Sequence, residues 1–238
     1  MTHWLERTEL LLGSEKTKRL QNARVLVVGL GGVGAYAAEM LARSGIGALT
    51  IVDADDVSET NINRQLVALH STVGRPKAEI LAARLQDINP QLRLTVLREY
   101  VRDEATDRLL DGEKFDYAVD AIDTLSPKVN LIKGALDRGI PLVSSMGAGA
   151  KTDPTLIEIR DIAKSHHCPL AHMLRKRLHK LGIKYHIKSR TKSIFSIWTK
   201  MHKQHVPFEG VYDIFALRII LDCPPEEEKT QCWAVYSI

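Results

Sequence analysis

The sequence predicts an α/β protein built on a doubly wound, Rossmann-like and mostly parallel sheet. The first reason is an apolar run, residues 24–28, that opens into a glycine-rich turn and continues as a helix-forming stretch to Ser44. Apolar runs typical of buried strands then alternate with amphipathic stretches as far as Met146. The second run ends at an acidic residue, Asp53, as in nucleotide-binding strand–helix–strand units. Such alternation is typical of a parallel sheet with helices on both faces.

The glycine turn, residues 29–34, predicts a cradle for a nucleotide. Gly29 and Gly31 permit the sharp turn and let a phosphate approach the backbone, and Gly34 lets the helix pack closely on the strand. The helix that follows offers unpaired N–H groups to an anion. Asp53 is then placed to bind ribose hydroxyls. Turn glycines without a ligand are the alternative, and the turn alone does not distinguish a dinucleotide from ATP.

A polar loop, residues 55–65, follows the second predicted strand. The carboxyl ends of parallel strands form the ligand-binding edge of an open sheet, so Arg64 and Gln65 are expected near the nucleotide. Pro76 then suits the start of the next helix. Lys77, beside that start, is expected to point toward the crevice. A solvated surface lysine is the alternative.

The remaining elements continue the alternation of strands and helices. Strands are expected at 92–97, 115–123 and 140–146, and helices at 105–110 and 127–138. Asp123 would then lie at the same sheet edge as the glycine turn. A carboxylate at that position is costly unless it holds a cation or faces water, which makes a role with magnesium-ATP a reasonable hypothesis. The alternative is an Asp–Thr turn that caps the following helix.

Composition limits the class of protein. The 33 lysines and arginines against 29 aspartates and glutamates give only a mildly basic chain, so a polyanion would have to bind a local patch. The three cysteines, Cys168, Cys223 and Cys232, form neither a CxxC pair nor an even framework, which argues against a structural zinc and a disulfide scaffold and favours a cytoplasmic protein. No apolar run approaches the roughly 20 residues that cross a bilayer, so no membrane partner is expected.

Basic residues are concentrated between Ala163 and Lys188. Such a run is usually a solvated helix face, whereas beside a small-molecule crevice it could bind nucleic acid through phosphates. The sequence leaves both interpretations open.

Several spaced motifs in residues 1 to about 183 resemble the ubiquitin-activating-type adenylyltransferases, the ThiF/MoeB/HesA superfamily. They are Gly29-Leu-Gly-Gly-Val-Gly34, Asp53, Asn61-Ile-Asn-Arg-Gln65, Gly74-Arg-Pro-Lys77 and Asp120-Ala-Ile-Asp123. Within the superfamily, the segments Gly147–Pro154 and Asp161–Lys164 and the N-terminal Arg7 look most like the tRNA threonylcarbamoyladenosine dehydratases.

This resemblance implies ATP-dependent cyclisation of the threonylcarbamoyl group on a tRNA adenosine, through an adenylylated carboxylate. It implies ATP and magnesium as cofactors, with Arg64, Lys77 and Asp123 in catalysis and Asp123 on the metal. The nucleotide-binding residues that it implies are Gly29, Gly31, Gly32, Gly34, Asp53, Asp55, Asn63, Arg64, Lys77 and Arg7. Arg7 would enter the site of a neighbouring subunit, so a homodimer is expected beside the tRNA partner.

Residues from about 184 to 238 resemble the start of a RelA/SpoT-type guanosine tetraphosphate synthetase domain, so a partial α/β segment is expected there. In that family the residues matching Arg190, Lys192 and Lys200 contact ATP phosphates, and the one matching Asp213 binds magnesium. The second acidic motif of such a domain does not follow in this sequence, so we expect this piece to be catalytically silent. Two domains are therefore predicted, at 1–183 and 184–238.

Three alternatives remain at this stage. The first is adenylylation of the C-terminus of a small ubiquitin-like sulfur-carrier protein, which would make a sulfur-transfer protein the partner. The second is a non-catalytic chimera that binds nucleotide or RNA and carries an inactive synthetase fragment. The third is an NAD-dependent dehydrogenase, the generic explanation for the glycine turn.

Overall fold

The computed structural model describes residues 4–181 and two further strands at 186–191 and 215–220. The helices are α1 (Glu6–Leu12), α2 (Ser14–Asn22), α3 (Gly34–Arg43), α4 (Lys77–Ile88), α5 (Glu104–Gly112), α6 (Leu125–Asp137) and α7 (Pro169–Lys180). The strands are β1 (Arg24–Val28), β2 (Ala48–Val52), β3 (Arg93–Leu97), β4 (Tyr117–Asp120), β5 (Leu142–Ser144), β6 (His186–Thr191) and β7 (Phe215–Ile220). Among the described residues, 4–151 with 168–174 form one compact unit, and 152–167, 175–181 and the last two strands belong to a second.

The first unit contains a five-stranded sheet in the order β3-β2-β1-β4-β5, with every neighbouring pair parallel. Val28, the last residue of β1, is in register with Val52 on one side and Asp120 on the other. Starting from β1, the chain adds β2 and β3 on one side and then returns to add β4 and β5 on the other. The strand order therefore reverses at β1. In open parallel sheets a crevice forms at such a reversal, outside the carboxyl ends of the strands. The predicted doubly wound fold is confirmed.

Strands β1 and β2 are buried on both faces, as the apolar runs predict. Val27 and Ile51 pack into the layer that contains α3 and α4, whereas Leu26 and Val52 pack into the layer on the opposite face. Successive strand residues point to opposite faces, so each apolar run contributes to both layers. This two-sided burial holds the ends of β1, β2 and β4 in a fixed arrangement.

The second unit includes residues 152–167, the end of α7 and an antiparallel pair formed by β6 and β7. Ile187 is in register with Ile219 in this pair. The predicted domain boundary near residue 183 lies outside the described residues, as do the predicted phosphate and metal contacts Lys192, Lys200 and Asp213 and the side chain of Arg190. In the part of the chain that was searched, no helix combines the length and apolar character that a membrane span requires.

Candidate functional site

The turn between β1 and α3 packs against the end of β4, and only glycine fits at two of its positions. Gly29 has a φ of +88°, and a Cβ atom built on it would lie 2.7 Å from the carbonyl oxygen of Ala121. A Cβ atom on Gly34 would lie 1.7 Å from the carbonyl oxygen of Gly29. These distances are far below van der Waals contact, so the two glycines allow β1, α3 and β4 to meet. The packing role predicted for Gly34 agrees with this geometry.

The middle of the turn is open, in contrast to its ends. A Cβ atom on Gly31 would meet only the Nε2 atom of Gln65, at 3.6 Å, and one on Gly32 would meet the backbone oxygen of Arg64 at 3.6 Å. Gly32 is exposed. The loop after β2 therefore brings Arg64 and Gln65 beside the turn and leaves its backbone accessible, as a phosphate-binding turn requires.

Gln65 also lies beside the glycine turn and is a further candidate site residue. It is buried, and its Oε1 atom has no hydrogen-bond partner among the described residues. Buried amide groups are normally paired, so this oxygen can accept a hydrogen bond from a bound ligand. Its place directly after Arg64 was the only signal in the sequence.

Asp53 links the glycine turn to the loop after β2. One carboxylate oxygen accepts a hydrogen bond from the backbone N–H of Leu30 at 2.6 Å, and the other accepts one from the N–H of Asp55 at 2.8 Å. Burial raises the pKa of Asp53, although these two hydrogen bonds and the charge of Lys77 oppose the rise. The carboxylate thus lies against the turn, at the predicted edge of the sheet.

Lys77 lies at the start of α4 and reaches back to the same edge. Its Nζ atom is 3.0 Å from the carboxylate of Asp55, and its backbone N–H donates to the backbone oxygen of Asp55 at 3.1 Å. The side chain of Lys77 is only 6% exposed, whereas that of Asp55 is 53% exposed. The hydroxyl of Tyr100 is 3.3 Å from the same carboxylate. The structure therefore brings Asp53, Asp55 and Lys77 together.

Arg64 is exposed and is held by its own loop. Its Nη1 atom donates to the backbone oxygen of Thr60 at 3.0 Å and to the Oδ1 atom of Asn63 at 2.9 Å. The methylene groups of Arg64 lie near Gly32, where a Cβ atom would be 3.8 Å from its Cγ atom. Asn63 thus orients the guanidinium group beside the glycine turn.

Asp123 follows Ala121 and Ile122, which lie against Gly29 at the end of β4. Its side chain is exposed and takes part in no hydrogen bond or ion pair with any other residue that the structure describes. The N-terminal cap of α6 is Thr124, without a side-chain cap hydrogen bond. Asp123 is therefore accessible at the predicted edge and does not cap the helix. Among the residues searched, no group of three histidine, cysteine or acidic side chains could hold a metal ion by itself.

A cavity of about 490 Å³ lies at the N-termini of α5 and α6, directly after Asp123 in the chain. Its lining residues are Arg102, Asp103, Thr124, Leu125, Ser126, Pro127 and Asn130. Both helices follow strands of the parallel sheet, so the cavity opens at the carboxyl edge. Its volume is in the range of small-molecule sites.

A fully buried ion pair joins the end of β4 to α6 next to this edge. Lys128 and Asp120 are both 0% exposed, with Nζ and Oδ2 2.8 Å apart. The hydroxyl of Ser144 donates to Asp120 at 2.6 Å, and Lys128 also donates to the backbone oxygen of Ile122 at 2.8 Å. Burial raises the pKa of Asp120, and Lys128 opposes this rise. This pair ties β4, β5 and α6 together, and sequence reasoning missed it although Lys128 occurs on the apolar face of its helix.

Arg7 takes part in none of the contacts given above for this site. It is exposed on α1, a helix without buried residues. Two leucines of the same helix, Leu10 and Leu11, are 81% and 83% exposed. The helix therefore offers a surface on which apolar and basic groups are adjacent.

Comparison with known proteins identifies related chains. The sequence model of the ThiF family matches residues 5–200, and the model described as a region found in RelA and SpoT proteins matches residues 189–238. The chain is 49% identical over 184 residues to the tRNA threonylcarbamoyladenosine dehydratase of Bacillus subtilis, covering 77% of this chain and 72% of that one. It is 44% identical over 178 residues to the Escherichia coli enzyme of the same name, covering 74% of this chain and 66% of that one.

Solved structures agree with the sequence matches. The E. coli tRNA threonylcarbamoyladenosine dehydratase in complex with ATP superimposes with a TM-score of 0.70 at 45% identity, covering 72% of this chain and 70% of that one. Its complex with AMP gives a TM-score of 0.72 at 41% identity, over 79% and 74% of the two chains. A parallel sheet with an open glycine turn, the family match over most of the length and these identities lead to one conclusion: the chain belongs to the ThiF family.

Proposed function

We propose that this protein uses ATP to cyclise the threonylcarbamoyl group on a tRNA adenosine. The carboxylate oxygen of that group attacks the α-phosphorus of ATP, the bond from this phosphorus to the bridging oxygen breaks, and pyrophosphate leaves. An atom of the carbamoyl group then attacks the activated acyl carbon, the acyl–phosphate bond breaks and AMP leaves with a proton released. The net change in the tRNA is the loss of one water.

One observation carries the proposal. Gly31 and Gly32 expose backbone at the strand-order reversal, and Arg64 and Lys77 reach the same edge from two different elements. This combination suits a triphosphate, because backbone N–H groups bind phosphate oxygens while the cations balance their charge. The relatives with 49% and 44% identity bear the name of this activity, which supports the choice of substrate.

Arg64 and Lys77 act in the proposed reaction by electrostatic stabilisation. Attack on phosphorus adds charge to the phosphate oxygens, and catalysis of such a step depends on positioning and fixed positive charge rather than on a protein nucleophile. Lys77 is already desolvated and oriented by Asp55, so little reorganisation is needed when the nucleotide binds. Asp53, which lies against the glycine turn, would accept hydrogen bonds from the ribose.

Asp123 is proposed to hold the magnesium ion. Its carboxylate is exposed at the sheet edge and has no competing contact with the described residues. Magnesium is often bound by one or two carboxylates together with substrate phosphates, so a complete protein cage is not required. The ion would supply positive charge to the phosphate oxygens of bound ATP.

Arg7 is proposed to complete the site of a second subunit in a homodimer. The exposed leucines of α1 support this arrangement, since burial of Leu10 and Leu11 against a partner would remove a large apolar area from water. Mixing inactive Arg7→Ala and Lys77→Ala subunits tests the dimer. Recovery of part of the activity in the mixture is expected, because one of the two sites then has both residues intact. No recovery despite subunit exchange would argue against this role of Arg7.

Adenylylation of a small carrier protein is the second candidate. The chain is 34% identical over 154 residues to the molybdopterin-synthase adenylyltransferase of Salmonella typhimurium, covering 65% of this chain. Both activities begin with adenylylation of a carboxylate, so the same site could perform either first step. The two activities differ in the molecule that carries this carboxylate, a modified tRNA or a carrier protein.

The decisive experiment measures AMP release from ATP with three additions: tRNA that carries threonylcarbamoyladenosine, unmodified tRNA, or a sulfur-carrier protein with a C-terminal glycine. Release that requires the modified tRNA, with the cyclised base found by mass spectrometry, is the expected result. Exchange of pyrophosphate into ATP only with the carrier would favour the second candidate. Magnesium-ATP binding without turnover under all three conditions would favour a non-catalytic nucleotide-binding protein.

A further inference from the structure

We propose that the exposed basic face at the end of α7, formed by Lys176, Arg177 and Lys180, binds the phosphate backbone of the RNA substrate. The identity of the polyanion as tRNA rests on the proposed function. The face itself is argued from charge, exposure and local contacts.

The segment that contains this face has no acidic residue. Residues 162–181 include five lysines and arginines and four histidines but neither aspartate nor glutamate. The chain as a whole is nearly balanced, with a formal net charge of +4. Positive charge is therefore concentrated locally, in the manner expected of a phosphate-binding patch.

The three cations all point to solvent. Lys176, Arg177 and Lys180 are exposed, whereas Leu174 and Leu178 on the same helix are buried. None of the three forms an ion pair with any residue that the structure describes. The helix thus separates an apolar buried side from a basic exposed side.

The acidic residues of the second unit that the structure describes all make local contacts. Asp153 accepts from the backbone N–H of Thr155, Asp161 accepts from that of Ala163, and Glu158 pairs with Arg160. In the described part of the second unit, these carboxylates are therefore engaged with their own neighbours. Within that described part, no carboxylate therefore neutralises the basic face.

A structural arginine fixes the preceding segment to the helix. Arg175 donates from Nη1 to the backbone oxygen of Ser165 at 2.9 Å and to that of Ile162 at 3.3 Å. Lys164 and His166 lie within this fixed segment. The cations are thus presented by a rigid support, which reduces the entropy that binding would otherwise cost.

The helix dipole explains these cations only in part. Positive charge in a last turn is favourable near the free carbonyl groups. Lys176 and Lys180, however, are spaced i,i+4 and repel each other. A polyanion relieves this repulsion and releases counterions, whereas a merely solvated face does not.

The test is a triple variant, Lys176→Gln with Arg177→Gln and Lys180→Gln, in the full chain. The matched control is Lys16→Gln with Lys18→Gln and Arg19→Gln on α2, where all three side chains are also exposed and the same net charge is removed. Binding to threonylcarbamoyl-modified tRNA is measured at several salt concentrations, together with ATP binding and steady-state kinetics. Circular dichroism checks that both variants fold.

The slope of log K against log salt concentration measures the number of phosphate contacts. For the α7 variant, this slope is expected to be smaller in magnitude than that of the wild type by about 2 to 3. Its KM for tRNA should rise while ATP binding and kcat remain unchanged, and the α2 control should behave as the wild type. An unchanged slope, or an equal loss in both variants, would overturn the assignment. If wild-type AMP release does not require tRNA but α7-dependent RNA binding persists, the proposed activity fails and the RNA surface stands.

Discussion

In the proposed reaction, we expect the most important charge to be that of a buried residue. Lys77 is 6% exposed and is oriented by Asp55, whose own side chain remains half in solvent. A desolvated, pre-oriented cation interacts more strongly with a phosphate than a mobile surface lysine does. The geometry therefore assigns Lys77 a stronger role than its position beside a helix start suggested.

Lys77→Ala is expected to lower tRNA-dependent AMP formation by about 100- to 1,000-fold, the scale of losing one preorganised transition-state contact. Arg64→Ala should have an effect of the same order. Lys77→Ala also removes buried methylene groups, so thermal denaturation is measured beside the assay to separate a loss of folded enzyme from a loss of turnover. Lys133→Ala, which removes an exposed lysine paired with Asp137, is the control and should keep full activity. A Lys77→Ala enzyme with normal turnover would refute the catalytic role.

The buried carboxylate of Asp53 predicts how the stability of the protein depends on pH. Burial raises its pKa, so the folded protein keeps this proton to higher pH than the unfolded chain does. Its contribution to stability is therefore greatest at acid pH and falls as pH rises through the unfolded and then the folded pKa. Relative to the wild type, Asp53→Asn should become more stable as pH rises from about 3.5 to about 7.

Urea denaturation at a series of pH values measures this difference in the free energy of unfolding. ATP binding by the variant should be weaker, because the ribose loses its carboxylate. If the wild type instead becomes more stable than Asp53→Asn as pH rises, the inferred direction of the pKa shift is incorrect.

At the scale of elements, the turn between β1 and α3 decides whether the site can form. Gly34→Ala would place a Cβ atom 1.7 Å from the backbone oxygen of Gly29, and neither backbone can move without disturbing β4. A loss of about 3 kcal/mol or more in the free energy of unfolding is expected. Thermal and chemical denaturation measure it.

Gly112→Ala is the matched control for this change. Gly112 ends α5, and a Cβ atom there would meet nothing within 4 Å. Alanine in a helix is favoured over glycine by up to about 1 kcal/mol, so stability should be unchanged or slightly higher. Equal losses in both variants would mean that close approach at Gly34 is not the cause.

At the scale of the whole molecule, the RelA/SpoT model matches residues 189–238, of which 189–200 are also matched by the ThiF model. We propose that this part does not contribute to the tRNA reaction. Lys192→Ala and Asp213→Ala, at the positions that a synthetase domain would use for phosphate and magnesium, should leave tRNA-dependent AMP release within about twofold of the wild type. Assays at saturating ATP and tRNA, with Lys77→Ala as the positive control for loss, measure this. A loss as large as that of Lys77→Ala would mean that the tail takes part in the reaction.

The sequence by itself determined the fold class and most of the candidate nucleotide-binding edge. The apolar runs specified buried parallel strands because both of their faces must avoid water, and the glycine turn together with Asp53 marked the edge. Tertiary structure alone decided how Lys77 is desolvated and paired with Asp55, how Gln65 lies beside Gly31, and that Lys128 is buried against Asp120. These contacts join residues distant in sequence or depend on burial, and a pattern of residue types does not specify which side chains the packed elements bring within a few ångströms.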